Sequence, residues 1–227
     1  TAGELTELQY LIGLTLSNGP GTISAKGAKE TVSARNWIPT AYVGFMVNTG
    51  LAHGGNGYEA VEFLLKNFEN TGLKNPGDPK HGIDLQELAN KAAKEYADFK
   101  RQEKESGKIE IKRIPCVNHP VFKGHDVNID PREDFVRREF EKKEIYNVFL
   151  DFYHKLVVEL FDEGATKNVF CVNVDAVLSV IALKFVWQDL ADGKMSKSQI
   201  QDIVFILFLI GRAIGVTAEI IDHRDRG

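Results

Sequence analysis

Three polar side chains stand where packing alone would favour apolar ones, and each is of a type that moves or holds protons. His53 lies in His53-Gly54-Gly55-Asn56-Gly57, a bend that enters a helix; residues without a Cβ let backbone approach a ligand closely. His119 lies in Cys116-Val117-Asn118-His119-Pro120-Val121-Phe122, ahead of Asp130-Pro131-Arg132. Asp175 interrupts the apolar run from Val169 to Leu178. A carboxylate there either caps a helix, a position that Asp favours, or is buried for chemistry as a general base. Arg212 joins the set: a guanidinium inside the apolar stretch Leu209 to Gly215 needs an anion, from the protein or from a bound acid. Taken singly, each histidine reads more readily as a loop residue without a function.

Other chemistries find less support. Cys116 and His119 are near in sequence, but no second pair has ligand spacing, so no metal is expected. A Cys–His nucleophile built from Cys116 lacks any sign of an electropositive, exposed thiol. Neither a P-loop nor GxGxxG is present.

Helices must position these residues. Glu4 to Ser17 has Leu and Ile at helical spacing and ends at Asn18-Gly19-Pro20-Gly21, a turn. Residues 40–52 are small and apolar, 58–68 are amphipathic, and 69–82 hold three Gly and two Pro, as a loop does. The spacing predicts a charged helix over 84–105, then an extended link or short strand at 106–113, then an irregular stretch to Arg132. One or two helices follow over 134–162, an apolar helix interrupted near Asn173 and Asp175 over 168–191, and a last helix over about 198–221. Strand signals are sparse, so the expected class is all-α.

Composition bounds the rest. The 227 residues suffice for a core that closes without metal or disulfides. A net charge of −4 offers no broad basic surface, which argues against nucleic acid. Two cysteines in apolar surroundings, Cys116 and Cys171, suggest a reducing, cytoplasmic compartment. The start shows no basic leader and no initiator Met, as in a chain processed or cut from a longer one. The apolar run Ile203 to Ile210 is far short of the roughly 20 residues that span a bilayer. It reads as a helix buried on all sides, and no membrane is expected.

In order, these motifs resemble the citrate synthase superfamily, in outline the citryl-CoA lyases and the C-terminal citryl-CoA lyase module of ATP-citrate lyase. His53-Gly54 with Asn56 and Glu59 resembles the family's His-Gly helix start. Val117 to Val121, then Asp130-Pro131-Arg132, resembles its Gly-x-Gly-His-x-Val loop ending in Asp-Pro-Arg. Asn173-Val174-Asp175 resembles its Asn-Val-Asp, and Gly211 to Gly215 its buried Gly/Ser-Arg-Ala-x-Gly. Leu14 to Pro20, with Ser24-Ala25, is similar to its Leu-Thr-Ala-Asp-His-Gly-Pro stretch.

The resemblance implies an enzyme that forms or cleaves a carbon–carbon bond between an acyl-CoA and a 2-oxo acid. Coenzyme A would enter as acetyl-CoA or citryl-CoA, and the acid partner would be a di- or tricarboxylate. His53 would stabilise the enol at the thioester oxygen, Asp175 would take or return the α-proton, and His119 would donate to the oxo-acid carbonyl. Asn18, Arg132 and Arg212 would hold substrate carboxylates, and Val117, Asn118 and Lys123 would meet coenzyme A. Asn18 stands where the family has a His, and Val117 and Asn118 where it has glycines; residues 73–105 look inserted. These departures point to a different acid, to a partner chain, or to a non-catalytic CoA- or acid-binding subunit of a citrate-lyase-like assembly.

The resemblance further implies a dimer or tetramer, possibly within a larger polypeptide. Arg224 or Arg226 would reach a neighbour's site, unless the end is simply solvated. The domain division it implies is 1–72, a large-domain part with His53; 73–170, a small domain with the insertion and the His119 loop; and 171–227, a return carrying Asp175 and Arg212.

Overall fold

A computed structural model of the chain describes residues 1–16, 21–50, 53–107 and 113–224. Among these the fold is all-α. Its helices are α1 (Ala2–Thr15), α2 (Ile23–Ser33), α3 (Ile38–Val47), α4 (Asn56–Phe68), α5 (Leu85–Ser106), α6 (Pro131–Lys142), α7 (Val148–Asp162), α8 (Val174–Ala191) and α9 (Lys197–Arg224). Extended pairing is limited to isolated bridges, including Val117 with Val172 and Val127 with Val169.

Local sequence sets the helix ends. Thr1 and Glu4 form a reciprocal capping box on α1, Asp84 caps α5, and Gly107 ends α5 in the left-handed region. Asp130, with Pro131 behind it, opens α6, and Asn147 opens α7. The stretch 134–162 therefore holds most of α6 and all of α7, and the last helix runs three residues beyond the expected end. Of the link expected at 106–113, residues 108–112 lie outside the described residues.

Two apolar clusters form. The larger draws on α1 and on α4 through α9, with Phe68, Phe149 and Phe152 packed edge to face in its middle. The smaller gathers α2, α3 and the far half of α9, around Phe45, Val216 and Ile220. Helix α9 thus spans both. A close approach of α1 to α9 depends on Gly211, where a Cβ would collide with the Thr15 hydroxyl. Gly211→Ala should destabilise the protein by about 1–3 kcal/mol, as overpacking does; an unchanged urea midpoint would show that the two helices can separate freely.

Helix α9 departs from the expected burial. The run Ile203 to Ile210 is not buried on all sides: Ile206 and Ile210 are about half exposed, as are Ile214 and Ile221 further along. The other faces of α9 pack on α1, α2, α3, α4 and α8, and its outer stripe is open. At 28 residues the full helix is long and apolar enough to cross a membrane by length and composition, but a third of that window is buried in protein. Its mid-helix Arg212 is 5 % exposed and bonded to protein groups, as in a core helix.

Candidate active site

The amino end of α8 is the anchor. Asn173, not Asp175, caps it: the Asn173 side-chain oxygen accepts from the Asp175 and Ala176 amides at 3.0 and 3.4 Å. Asp175 is therefore spared the capping task that its position in the sequence suggested. Nor is it fully buried; it is partly exposed in the first turn. Asn56, the first residue of α4, donates from its side-chain amide to Asp175 Oδ2 at 3.1 Å. That bond joins the His53 turn to the Asp175 turn across 119 residues of sequence.

His53 sits on the turn before α4. Its Nε2 lies 2.9 Å from Ser24 Oγ, and its ring meets Phe208 edge-on at 6.0 Å. Gly54, at φ +96°, leaves the space that Phe208 fills. Arg212 completes the group: Nε donates to the Thr15 carbonyl at 2.9 Å, Nη1 donates to Ser24 Oγ at 3.1 Å, and the guanidinium lies 5.0 Å from the Phe208 ring centre. Because Ser24 Oγ already accepts from Arg212, its own proton is free to go to His53 Nε2. A neutral imidazole accepting there carries its proton on Nδ1 and has that N–H to donate.

His119 approaches from the other side. The bridge between Val117 and Val172 ties its loop to the strand-like lead into α8. Asn118 N–H donates to the Cys171 carbonyl at 2.8 Å, and Asn173 N–H to the Cys116 carbonyl at 3.0 Å. Asn118 has φ +67°; among residues with a side chain, Asn tolerates that region well, so the missing glycine costs the loop little conformationally. The Asn118 carbonyl accepts from Asn173 Nδ2, so both of its main-chain polar groups are engaged within the protein. His119 Nδ1 accepts from the Val121 amide at 3.2 Å, which places the neutral ring's proton on Nε2. The ring stacks on Phe122, and the Arg132 guanidinium lies 5.5 Å from the same ring centre.

Charge links the three positions. Burial pushes His53 below its ordinary range, the Arg212 charge adds to this, and the Asp175 carboxylate opposes it. Burial likewise pushes His119 down, Arg132 adds to this, and Asp130 and Asp175 oppose it. Burial also lowers Arg212, against the pull of Asp175. One carboxylate thus acts on both imidazoles and on the guanidinium. Both histidines stay neutral at physiological pH, each with one N–H to donate.

Neutral, half-buried rings make the fold's stability depend on pH. The unfolded chain protonates these rings near the ordinary value of about 6.5, the folded chain only at lower pH. Their contribution is therefore present above about pH 6.5 and is lost as pH falls below it. Denaturation at pH 7.5 and 5.5 should show lower stability at 5.5, and a His53→Gln, His119→Gln double variant should flatten that slope. An equal slope in the variant would mean that other groups cause it.

The remaining residues divide. Arg132 is held by Asp130, which is fully buried, through Nε at 2.9 Å and Nη2 at 2.7 Å; Asp130 Oδ2 also accepts from Val174 N–H at 3.2 Å. The Asp-Pro-Arg motif is thereby joined to the first residue of α8. Lys123 is exposed on the same loop as His119, and among the described residues no hydrogen bond joins it to the site. Asn18 and Arg226 lie outside the described residues. Cys116 is buried, donates to the Asn56 carbonyl at 3.4 Å and has its thiol pushed well up by burial, then by Asp175 and Glu59. It is no ready nucleophile, which corrects that option. Among the described residues no group of His, Cys, Asp or Glu is placed to hold a metal ion. Ser24, Phe122 and Asp130 stand inside the motifs of the sequence and Phe208 inside its apolar run, but sequence reasoning gave none of them a role in the site; none carries a signal in isolation.

No protein-family model matches the chain, and no curated protein matches it by sequence. Solved structures do. Citryl-CoA lyase from Hydrogenobacter thermophilus superposes with a TM-score of 0.69 at 17 % identity, over 98 % of this chain and 70 % of that one. ATP citrate lyase from Methanothrix soehngenii, in complex with citrate and coenzyme A, gives 0.63 at 19 % identity. An aspartate-to-alanine variant of ATP citrate lyase from Methanosaeta concilii, in complex with (3S)-citryl-CoA, gives 0.61 at 20 %. The chain spans 31 % of each ATP citrate lyase. At these identities the likeness establishes the fold: this chain has the helical fold of citryl-CoA lyase and of the matching part of ATP citrate lyase.

Proposed function

We propose that this chain is a citrate synthase-type enzyme that cleaves or forms the carbon–carbon bond between an acyl-CoA and a 2-oxo acid, with citryl-CoA as the leading substrate. The reading rests on one observation above others. The Asn56–Asp175 hydrogen bond and the Val117–Val172 bridge bring the His53 turn and the His119 loop to the amino end of α8, where the Asp175 carboxylate stands.

The chemistry that follows gives each group one place. In cleavage, the His119 Nε2–H donates to the tertiary hydroxyl oxygen as it becomes the carbonyl of the departing oxo acid, and the hydroxyl proton passes, through water, to the Asp175 carboxylate. The bond pair moves to the thioester, whose oxygen is held by the His53 N–H. Asp175 then delivers a proton to the resulting enolate carbon, giving acetyl-CoA. Synthesis runs the same steps in reverse, with Asp175 as base. A donor at the oxygen and a base at the carbon, fixed before reaction, are what enolisation requires. Arg212, and Arg132 once Asp130 shares it, would pair with substrate carboxylates. Val117, Asn118 and Lys123 would lie along coenzyme A, Lys123 suiting a phosphate. Residue Asn18 would complete the acid site. A homodimer or tetramer, a cytoplasmic setting, a place within a larger polypeptide and the three-part domain division belong to the same proposal.

The clasp of Arg132 by Asp130 favours a second reading, in which the chain binds a CoA ester or an acid without turning it over, as a module of a larger assembly. Incubation with citryl-CoA separates the two. Release of acetyl-CoA and oxaloacetate by the isolated chain supports the enzyme; calorimetric binding of CoA without release, in either direction, leaves only the module.

A further inference from the structure

Asn56 has an exposed side chain that the core does not hold, yet its amide donates to Asp175 Oδ2 at 3.1 Å. Its main chain is fixed from below by the thiol of Cys116 and from the side by the start of α4. Freezing an exposed amide costs side-chain entropy, so the bond must be offset by what it fixes, and that is the direction of a carboxylate. Asp175 has no other restraint of this kind. Its main-chain amide belongs to the Asn173 cap, and among the described residues no donor meets Oδ1. The donor is neutral, so it orients the carboxylate without neutralising it as a lysine or arginine would.

We propose that Asn56 is a positioning residue: by holding Oδ2 it turns Oδ1 toward the reacting carbon, so that Oδ1 is the oxygen through which the proton passes. This rests on the reading of Asp175 as the proton-transfer group. In the synthesis direction the α-carbon–hydrogen bond of the thioester breaks and an O–H bond forms at Oδ1. The electron pair moves into the enolate, whose oxygen is met by the His53 N–H; in cleavage the proton leaves Oδ1 for the enolate carbon.

Asn56→Asp is isosteric, but its carboxyl would stand about 3.1 Å from Asp175 Oδ2, where the two either repel or share one proton, so Asp175 is no longer held as a free carboxylate by a neutral donor. The change should lower kcat for citryl-CoA cleavage about 10²-fold, the scale of a misaimed catalytic group, with KM essentially unchanged. Asn56→Ala should behave alike, and since Asn56 is exposed both should fold. Wild-type kcat in Asn56→Asp, beside a dead Asp175→Asn, would overturn the inference and leave the function intact. Full turnover in Asp175→Asn would sink the function, and this inference with it. A second readout needs no activity: in ¹⁵N-labelled protein, one of the two Asn56 side-chain amide proton signals should move on Asp175→Ala. A signal that stays in place would show that the bond is absent and would overturn the inference by itself.

Discussion

Asp175→Asn should fold normally and lose citryl-CoA cleavage and synthesis by a factor of about 10² to 10⁴, the range for one general acid or base. The helix it sits on does not need its carboxylate, because Asn173 supplies the cap. The replacing amide is the same shape, and its carbonyl oxygen can still accept from Asn56. The capacity to carry a proton is removed, together with the negative charge that acts on His53, His119 and Arg212. The loss should fall on kcat, with KM for citryl-CoA close to wild type, since the carboxylates of the substrate would meet arginines rather than Asp175. Turnover at the wild-type rate in this variant would end the proposed mechanism. A large rise in KM with kcat intact would make Asp175 a binding group instead.

The largest expected effect on stability lies away from the site. Glu7 of α1 and Lys184 of α8 form an ion pair at 2.8 Å, with side chains 3 % and 16 % exposed. Glu7 Oε2 has no hydrogen-bond partner among the described residues, and burial raises the Glu7 carboxyl despite the ammonium beside it. Lys184→Met would leave that carboxylate without its cation. Removing one member of a buried pair typically costs about 3–5 kcal/mol, which for a domain of this size lowers Tm by roughly 6–20 °C. The loss should shrink as pH falls toward the carboxylate range, because protonated Glu7 needs no cation. Adding Glu7→Leu to Lys184→Met should recover most of the loss, since a well-packed apolar pair often matches a buried ion pair. A double variant no more stable than the single one would show that the site cannot repack. Its position matters to function as well: α8 carries Asp175 at one end and this pair further along, so the pair holds against α1 the helix on which the base is mounted.

Much of the site was legible in residue types. His53, His119, Asp175 and Arg212 stood out because each is a polar group in a setting that packing does not explain. The glycine-rich turn, the Asp-Pro-Arg start and the Asn-Val-Asp cap each follow from local rules about backbone freedom and orphan amides. The helical class followed from apolar periodicity and from the scarcity of alternating runs. Even the departure at Asn118 was visible, although its mildness was not, because a left-handed φ cannot be read from residue type alone.

What the tertiary structure decided was which of these groups meet and which are already in use. Residue order places Asn56 and Asp175 far apart; only the packing of α4 on α8 brings them within a hydrogen bond. Ser24 is one of many serines until Arg212 and His53 converge on it. Asp130 looks like a simple helix cap, yet folding makes it clasp Arg132 and hold the first turn of α8. The open stripe on α9 runs against the expectation of a helix buried on all sides, because hydrophobicity says that a residue would gain from burial and not whether a neighbour is present to bury it. The physical reason is common to all of these. Local interactions are written in neighbouring residues, whereas the direction of a side chain, its desolvation and its partner are set by elements that arrive from elsewhere in the chain.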